Sequence, residues 1–297
     1  MHTAYDNFLK YSILDPTGNI TALVESPVPV SGQPSVADAV MERHPDVEQV
    51  GFVSFEKKVI HAQSVQGSLR MAGGEFCGNA AMSTAALLLL RRNAGSTEDP
   101  TSNSLSCERK HCVRLSVSGA DEPVEVRLLQ DRNASFHASV HMPKPLGMIN
   151  TTFSFRGKSG SLPYVRMRGI SHILIEPDSA FFHLRSDRIA AGQAVREWCR
   201  LLKADGLGLM FLERSAGDHH LTPLVYIPGS GTLFWENSCA SGSSAVGMIL
   251  ASRAGKRHSL MLHEPGGILC VESDPEGCET WLSGQVTYMA EHILSPA

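Results

Sequence analysis

Two segments of this chain carry the same unusual order: a cysteine, a run of small residues, then an apolar stretch of helical character. CGNAAMSTAALLLL starts at Cys77 and CASGSSAVGMILAS starts at Cys239. The likeness is one of pattern more than of identity. It predicts two related halves, each offering a helix N-terminus to a shared cleft. The first turn of a helix leaves backbone N–H groups unpaired and carries partial positive charge. A cysteine placed there is expected to shift toward the thiolate. The free N–H groups suit a carboxylate, and small residues let a ligand approach the backbone closely.

The rest of the chain is consistent with an ordinary folded protein. Its 297 residues favour two domains. Apolar residues make up 42%, enough for normal cores, and charged residues 19%, which leans away from disorder. The net charge is −4 with no long single-sign block, which argues against nucleic acid or a basic membrane-binding face. Residues 1–20 have no continuous apolar core, so no secretory signal is expected. The longest apolar stretch, 80–90, is too short to span a bilayer. A soluble, cytoplasmic protein is expected. Seven cysteines, an odd number in a chain of this length, read as reduced thiols rather than as a disulfide framework.

Short alternating runs predict strands over 50–55, 113–117, 124–129, 138–142, 172–175, 224–227 and 282–288. Helices are expected over 36–43 with Ser35 as N-cap, over 78–92 with Arg91 and Arg92 at its negative end, over 190–204, and over 241–254 before Gly255. Many strands with sparse helices point to an α+β fold. The polar stretch NAGSTEDPTSN, 93–103, reads as an exposed loop. The change of domain is expected near 141–145, giving a first domain over 1–143 that carries Cys77 and a second over 144–281 that carries Cys239.

Two thiols facing one another across a cleft define a specific chemistry. One thiolate removes the α-proton of an amino acid, and the opposite thiol returns a proton to the other face. The configuration inverts by matched general acid/base catalysis. Neither pyridoxal nor a metal is needed where preorganised donors hold the carboxylate in a dry site. No cofactor and no metal are therefore expected.

The segment MAGGEFCGNAAMSTA, 71–85, resembles the first cysteine motif of the diaminopimelate epimerase family, and ENSCASGSSAVG, 236–247, resembles its second. Further segments are similar in order: TGN at 17–19, Glu48 and Gln49, RGISH at 168–172, PGSGT at 228–232, PGG at 265–267 and LSGQV at 282–286. The resemblance implies two pseudosymmetric domains, each a mixed sheet wrapped around a central helix. It implies that the C-terminal strand, about 282–297, returns to the first domain. It also implies catalytic roles for Cys77 and Cys239, and substrate contacts from Asn19, Glu48, Gln49, Gly78, Asn79, His172, Ala240 and Ser241. A homodimer is common among similar proteins.

This sequence also departs from the diaminopimelate-specific pattern. Ile227 and Pro228 stand where those members carry a Glu-Arg pair, Met71 and Ile170 where they carry Asn. Ile-Pro cannot replace an arginine that clamps a distal carboxylate, which argues against diaminopimelate. MAGGEFCGNA and FWENSCASG are most similar to the histidine racemases of opine-metallophore pathways. That similarity implies histidine as substrate, a smaller and less polar distal pocket, and Glu48 facing the imidazole.

Other readings are weaker. A proline-racemase-like dehydratase lacks one of the two cysteines. Cys107, His111 and Cys112, with His219 and His220, are too irregularly spaced for a zinc site. A pure binding protein would gain nothing from two oxidisable thiols. No lysine sits in a phosphate-cradling context, as a pyridoxal enzyme would need.

Overall fold

The computed structural model describes residues 8–56, 64–94, 110–131 and 135–295. Among these residues, sixteen strands and four α-helices form a mixed α+β fold. The strands before the first cysteine are β1 (Leu9–Pro16), β2 (Thr21–Val24), β3 (Gln49–Phe55) and β4 (Gly67–Met71), with helix α1 (Gln33–Arg43) between β2 and β3. Helix α2 (Gly78–Ala94) follows, then β5 (Lys110–Val117), β6 (Val124–Gln130) and β7 (Ser135–His141). The chain continues through β8 (Gly147–Phe155), β9 (Lys158–Arg166), β10 (Ser171–Ile175), α3 (Arg188–Leu202), β11 (Leu207–Ser215), β12 (Asp218–Ile227) and β13 (Thr232–Trp235). Helix α4 (Ala240–Ala254), β14 (His258–Glu264), β15 (Gly267–Ser273) and the long β16 (Thr280–Leu294) complete it.

One continuous sheet runs β1 through β7 in sequence order, then β16-β15-β14-β12-β11-β10-β9-β8. Strand β16 also pairs antiparallel with β1, from Leu9 opposite Leu294 to Pro16 opposite Val286. Strands β1 to β7 and β16 therefore close a ring. Helix α2 packs against all of them. This explains a helix that is apolar on every side, from Ala80 to Leu89: such a helix is stable only inside a core. Helix α4 is placed similarly against β14, β15, β16, β11, β10 and β9. One hydrophobic core contains residues of both helices, with a second beneath α3 around Trp198 and a third around Tyr11.

Several sequence expectations need correction. Ser35 does not cap α1. The helix starts at Gln33, its N-cap is Gly32, and Ser35 lies inside the first turn. Pro34 is the cause: its fixed φ and missing N–H suit the first turn. Helix α3 starts at Arg188, where the Asp187 side chain accepts the Ala190 N–H, and ends at Leu202, because Lys203 takes a left-handed φ of 51°. Asn93 and Ala94 continue α2 rather than opening a loop. The rest of that stretch, 95–103, lies outside the described residues, as does Cys107. Strands β1, β2, β4, β8, β9, β11, β13, β14 and β15 were not expected. The run GMINTTFSF of β8 is one such case: it lies at the end of the sheet, and only Phe153 and Phe155 of it are buried. Among the described residues, no helix is long and apolar enough to cross a membrane.

Candidate active site

Cys77 and Cys239 each stand at the residue just before their helix. The Cys77 carbonyl accepts the Ala81 N–H at 3.0 Å and the Cys239 carbonyl accepts the Ser243 N–H at 2.8 Å. That is the N-cap arrangement, in which the first helical bonds form while the next N–H groups stay free. The two helix starts touch. A Cβ added to Gly78 would lie 3.0 Å from the Ala240 Cβ and 3.3 Å from the Met142 sulfur. The Asn79 Nδ2 donates to the Ser238 carbonyl at 3.2 Å, across the same junction.

A cleft of about 360 Å³ opens at this junction. Both cysteines line it, with Asn19, Glu48, Gln49, Gly78, Asn79, Ala240 and Ser241. These are all but one of the residues expected from the sequence. The exception, His172, does not line the cleft. It is fully buried behind Ser241, and its Nε2 lies 2.9 Å from the Ser241 Oγ. The Ser241 Oγ in turn lies 3.8 Å from the Cys239 Sγ. Burial pushes the His172 imidazole down to about 3, so it is neutral.

The thiols depart from the expected direction. Burial pushes Cys77 up to about 12; the N–H groups of Ala80 and Asn79 oppose this, and the charges of Glu75 and Glu236 add to it. Cys239 is pushed well up, first by burial and then by Glu236 and Glu264, with the Gly242 N–H opposing. The N-terminal dipoles are present, but desolvation and nearby carboxyls outweigh them.

Three glutamates line the cleft: Glu48, Glu75 and Glu236. The expected small, weakly polar pocket is thus only half realised. Ile170, Val225, Ile227 and Phe234 supply the apolar part. Each Glu48 oxygen accepts one amide N–H: Asn19 Nδ2 donates to Oε2 at 2.7 Å and Asn237 Nδ2 to Oε1 at 2.5 Å. Glu48 ties the β2–β3 connection to the segment leading into α4 rather than standing free for a ligand. Gln49 Nε2 donates to Glu236 Oε1 at 3.4 Å. Burial raises Glu236 to about 8.

Behind α4 sits Glu264, buried, accepting the Cys239 N–H at 2.8 Å and the Ser243 hydroxyl. Burial first, then the charge of Glu236, holds it at about 8 against these bonds. Sequence reasoning missed Glu75, Glu236, Asn237, Ser238 and Glu264. The first four stand inside the two cysteine motifs, so the acids beside each thiol were a usable signal. Glu264 had no such signal beyond its place before PGG. Among the described residues, no group of three or more histidine, cysteine or acidic side chains could hold a metal ion.

The match to known proteins is consistent with this cleft. A hydroxyproline epimerase from Agrobacterium vitis shares the fold, with a TM-score of 0.64 at 12% identity, covering 98% of this chain and 93% of that one. The histidine racemase of Staphylococcus aureus is 28% identical over 290 residues, 95% of this chain and 96% of that protein. The histidine racemase of Fusobacterium nucleatum is 27% identical over 95% of each. The protein is an isomerase of the amino-acid racemase and epimerase class. The family model described as "Histidine racemase CntK N-terminal domain" matches residues 7–292, and the chain belongs to that family.

Proposed function

We propose that the protein interconverts L- and D-histidine, with Cys77 and Cys239 as a two-thiol acid/base pair and no cofactor. The observation that carries this is the contact between the two cysteine-headed helix starts, with Gly78 against Ala240. Four backbone N–H groups, from Gly78, Asn79, Ala240 and Ser241, would receive the α-carboxylate as negative charge grows on it. The α-carbon would then lie between the two sulfurs.

The raised thiols fit a substrate-assisted step. An α-ammonium entering a cleft lined by Glu48, Glu75 and Glu236 brings the positive charge that favours a thiolate. One thiol passes its proton to water as the substrate docks, its thiolate then takes the α-proton, and the other thiol delivers a proton to the opposite face. The two titrate as a coupled system. Asn19, Glu48 and Gln49 hold the wall opposite α4, and His172 fixes the Ser241 hydroxyl beside Cys239 rather than meeting the substrate.

Histidine as the substrate is supported by the two curated histidine racemases and by the mixed lining of the cleft. Apolar Ile170 and Ile227 suit a ring face, and the carboxyls suit its nitrogens. We also read the chain as two related lobes, 1–143 and 144–281, with 282–297 returning to the first. The pairing of β16 with both β1 and β7 supports that reading.

The test is α-proton exchange in heavy water with reduced protein and a panel of L-amino acids, with D-isomers resolved by chiral chromatography. Deuterium entering histidine as D-histidine accumulates is the expected result. Exchange confined to another amino acid would overturn the substrate assignment.

A further inference from the structure

Among the described residues that line the cleft, four side-chain atoms with almost no accessible surface have no hydrogen-bond partner: Asn19 Oδ1, Glu75 Oε2, Asn79 Oδ1 and Ser238 Oγ. Three of the four are pure acceptors. Unpaired buried acceptors are costly, so such a set is complementary to a ligand rich in N–H donors. Only one of the three acceptors belongs to a carboxyl.

We infer that Glu75, and not Glu48, is the residue that selects the substrate's side chain, by accepting a ring N–H on its Oε2. This rests on the histidine reading above. Glu48 accepts one amide N–H on each oxygen, from Asn19 and Asn237. Glu236 takes the Gln49 amide and faces the Cys239 thiol. Glu75 is the one cleft glutamate with a buried oxygen left over.

The loop around Glu75 is built to hold that carboxyl still. Ser118 Oγ donates to the Glu75 carbonyl at 2.8 Å and accepts the Met71 N–H at 3.0 Å, which pins both ends of the turn before Cys77. A Cβ on Gly119 would meet the Phe76 nitrogen at 2.3 Å and the Glu75 carbonyl carbon at 2.8 Å, so the chain passes close behind. The carboxyl folds over Gly73, where a Cβ would collide with Oε2. The carboxyl accepts its own backbone N–H and is drawn electrostatically to Arg70, whose Nε donates to Gln33 Oε1 at 3.2 Å. Glu75 lines the cleft together with Ala72, Gly73 and the α1 residues Pro34, Ala37, Asp38 and Met41. A side chain extending from the α-carbon toward α1 would reach it. A carboxyl accepting a ring N–H also rejects isosteres without one, because its oxygen is then left unpaired.

The experiment compares L-histidine with 3-(2-thienyl)-L-alanine, a near-isostere without a ring N–H, in α-proton exchange by the full-length protein and its Glu75→Gln variant. Wild type is expected to favour histidine by about a hundredfold or more in kcat/KM. Glu75→Gln should cut that preference at least about tenfold, chiefly through a higher KM for histidine, with the thienyl substrate held or improved. Unchanged discrimination both in a folded Glu75→Gln protein and in Glu75→Met, which keeps no strong acceptor, overturns the inference while leaving the histidine reading intact. Equal loss on both substrates overturns it too, since Glu75 would then serve the chemistry or the fold. Wild type indifferent to the ring nitrogen overturns the inference alone, whereas wild type inert toward histidine overturns the histidine reading and the inference with it. Should Glu75→Gln fail to fold by thermal melting, Glu75→Asp, which withdraws the carboxyl by one methylene, carries the same expectations.

Discussion

Cys77 and Cys239 cap their helices with nearly identical backbone bonds, at 3.0 and 2.8 Å to the fourth residue onward, yet their surroundings differ. Cys77 is half-buried, and its sulfur is met by backbone, the Ala80 N–H at 3.4 Å. Cys239 is 5% exposed and wrapped by side chains. Glu264 takes its N–H, Ser241 stands beside its sulfur, and His172 stands behind Ser241. Similar backbones repeated on two helices can therefore carry two different proton environments. The repeated part supplies the opposed geometry. The unrepeated side chains make the two helix starts chemically unlike.

The largest effect should come from removing either thiol. Cys77→Ser and Cys239→Ser are each expected to lower racemisation by at least about a thousandfold, read by chiral chromatography. A variant keeping more than a few per cent of activity would show that the two helix starts do not share the chemistry. Next is the contact between them. Gly78→Ala places a methyl against Ala240 and Met142 and should push the helix starts apart. A loss of about ten- to a hundredfold in kcat/KM, with a melting temperature within a few degrees of wild type, is expected.

The buried carboxyls beside Cys239 give a pH signature. Glu236 and Glu264 are both raised to about 8 from the usual 4.5. A carboxyl with a raised folded value binds its proton more tightly when folded. Its stabilisation is complete below about 4.5 and is lost as pH rises through 8. The melting temperature should therefore fall between pH 5 and pH 9, and Glu264→Gln should shrink that fall by on the order of 5 °C. An unchanged slope would mean that Glu264 is ionised throughout and that the asymmetry between the two ends is smaller than drawn. The smallest effect serves as the contrast. Helix α3, remote from the cleft, is capped by Asp187 at 2.9 Å from the Ala190 nitrogen. Asp187→Ala should cost about 1 kcal/mol of stability by chemical denaturation and leave turnover unchanged. A loss of turnover there would link α3 to the site.

Helices α2 and α4 were legible because a run that is apolar on all sides, opened by small residues, has few places to go except a core. The strands were legible where alternation was clear, as in β5 and β6. They were hidden where strands lie at the sheet's end, as in β8, or where pairing joins distant segments, as in Leu9 with Leu294. The expected thiolate shift failed for a related reason. The helix dipole is a local property, whereas desolvation and the charges of Glu75, Glu236 and Glu264 depend on the packed structure.

By itself, the sequence determined that two cysteines would head two buried helices, since local capping preference and apolar pattern are both written within a dozen residues. Which side chains surround each sulfur was decided only by the tertiary structure. Glu48 meets Asn237, 189 residues on, Gln49 meets Glu236, and Glu264 reaches back to Cys239. Such partners are set by how the closed strand ring and the rest of the sheet pack the two helices end to end. Their electrostatic consequences follow from the burial that this packing creates.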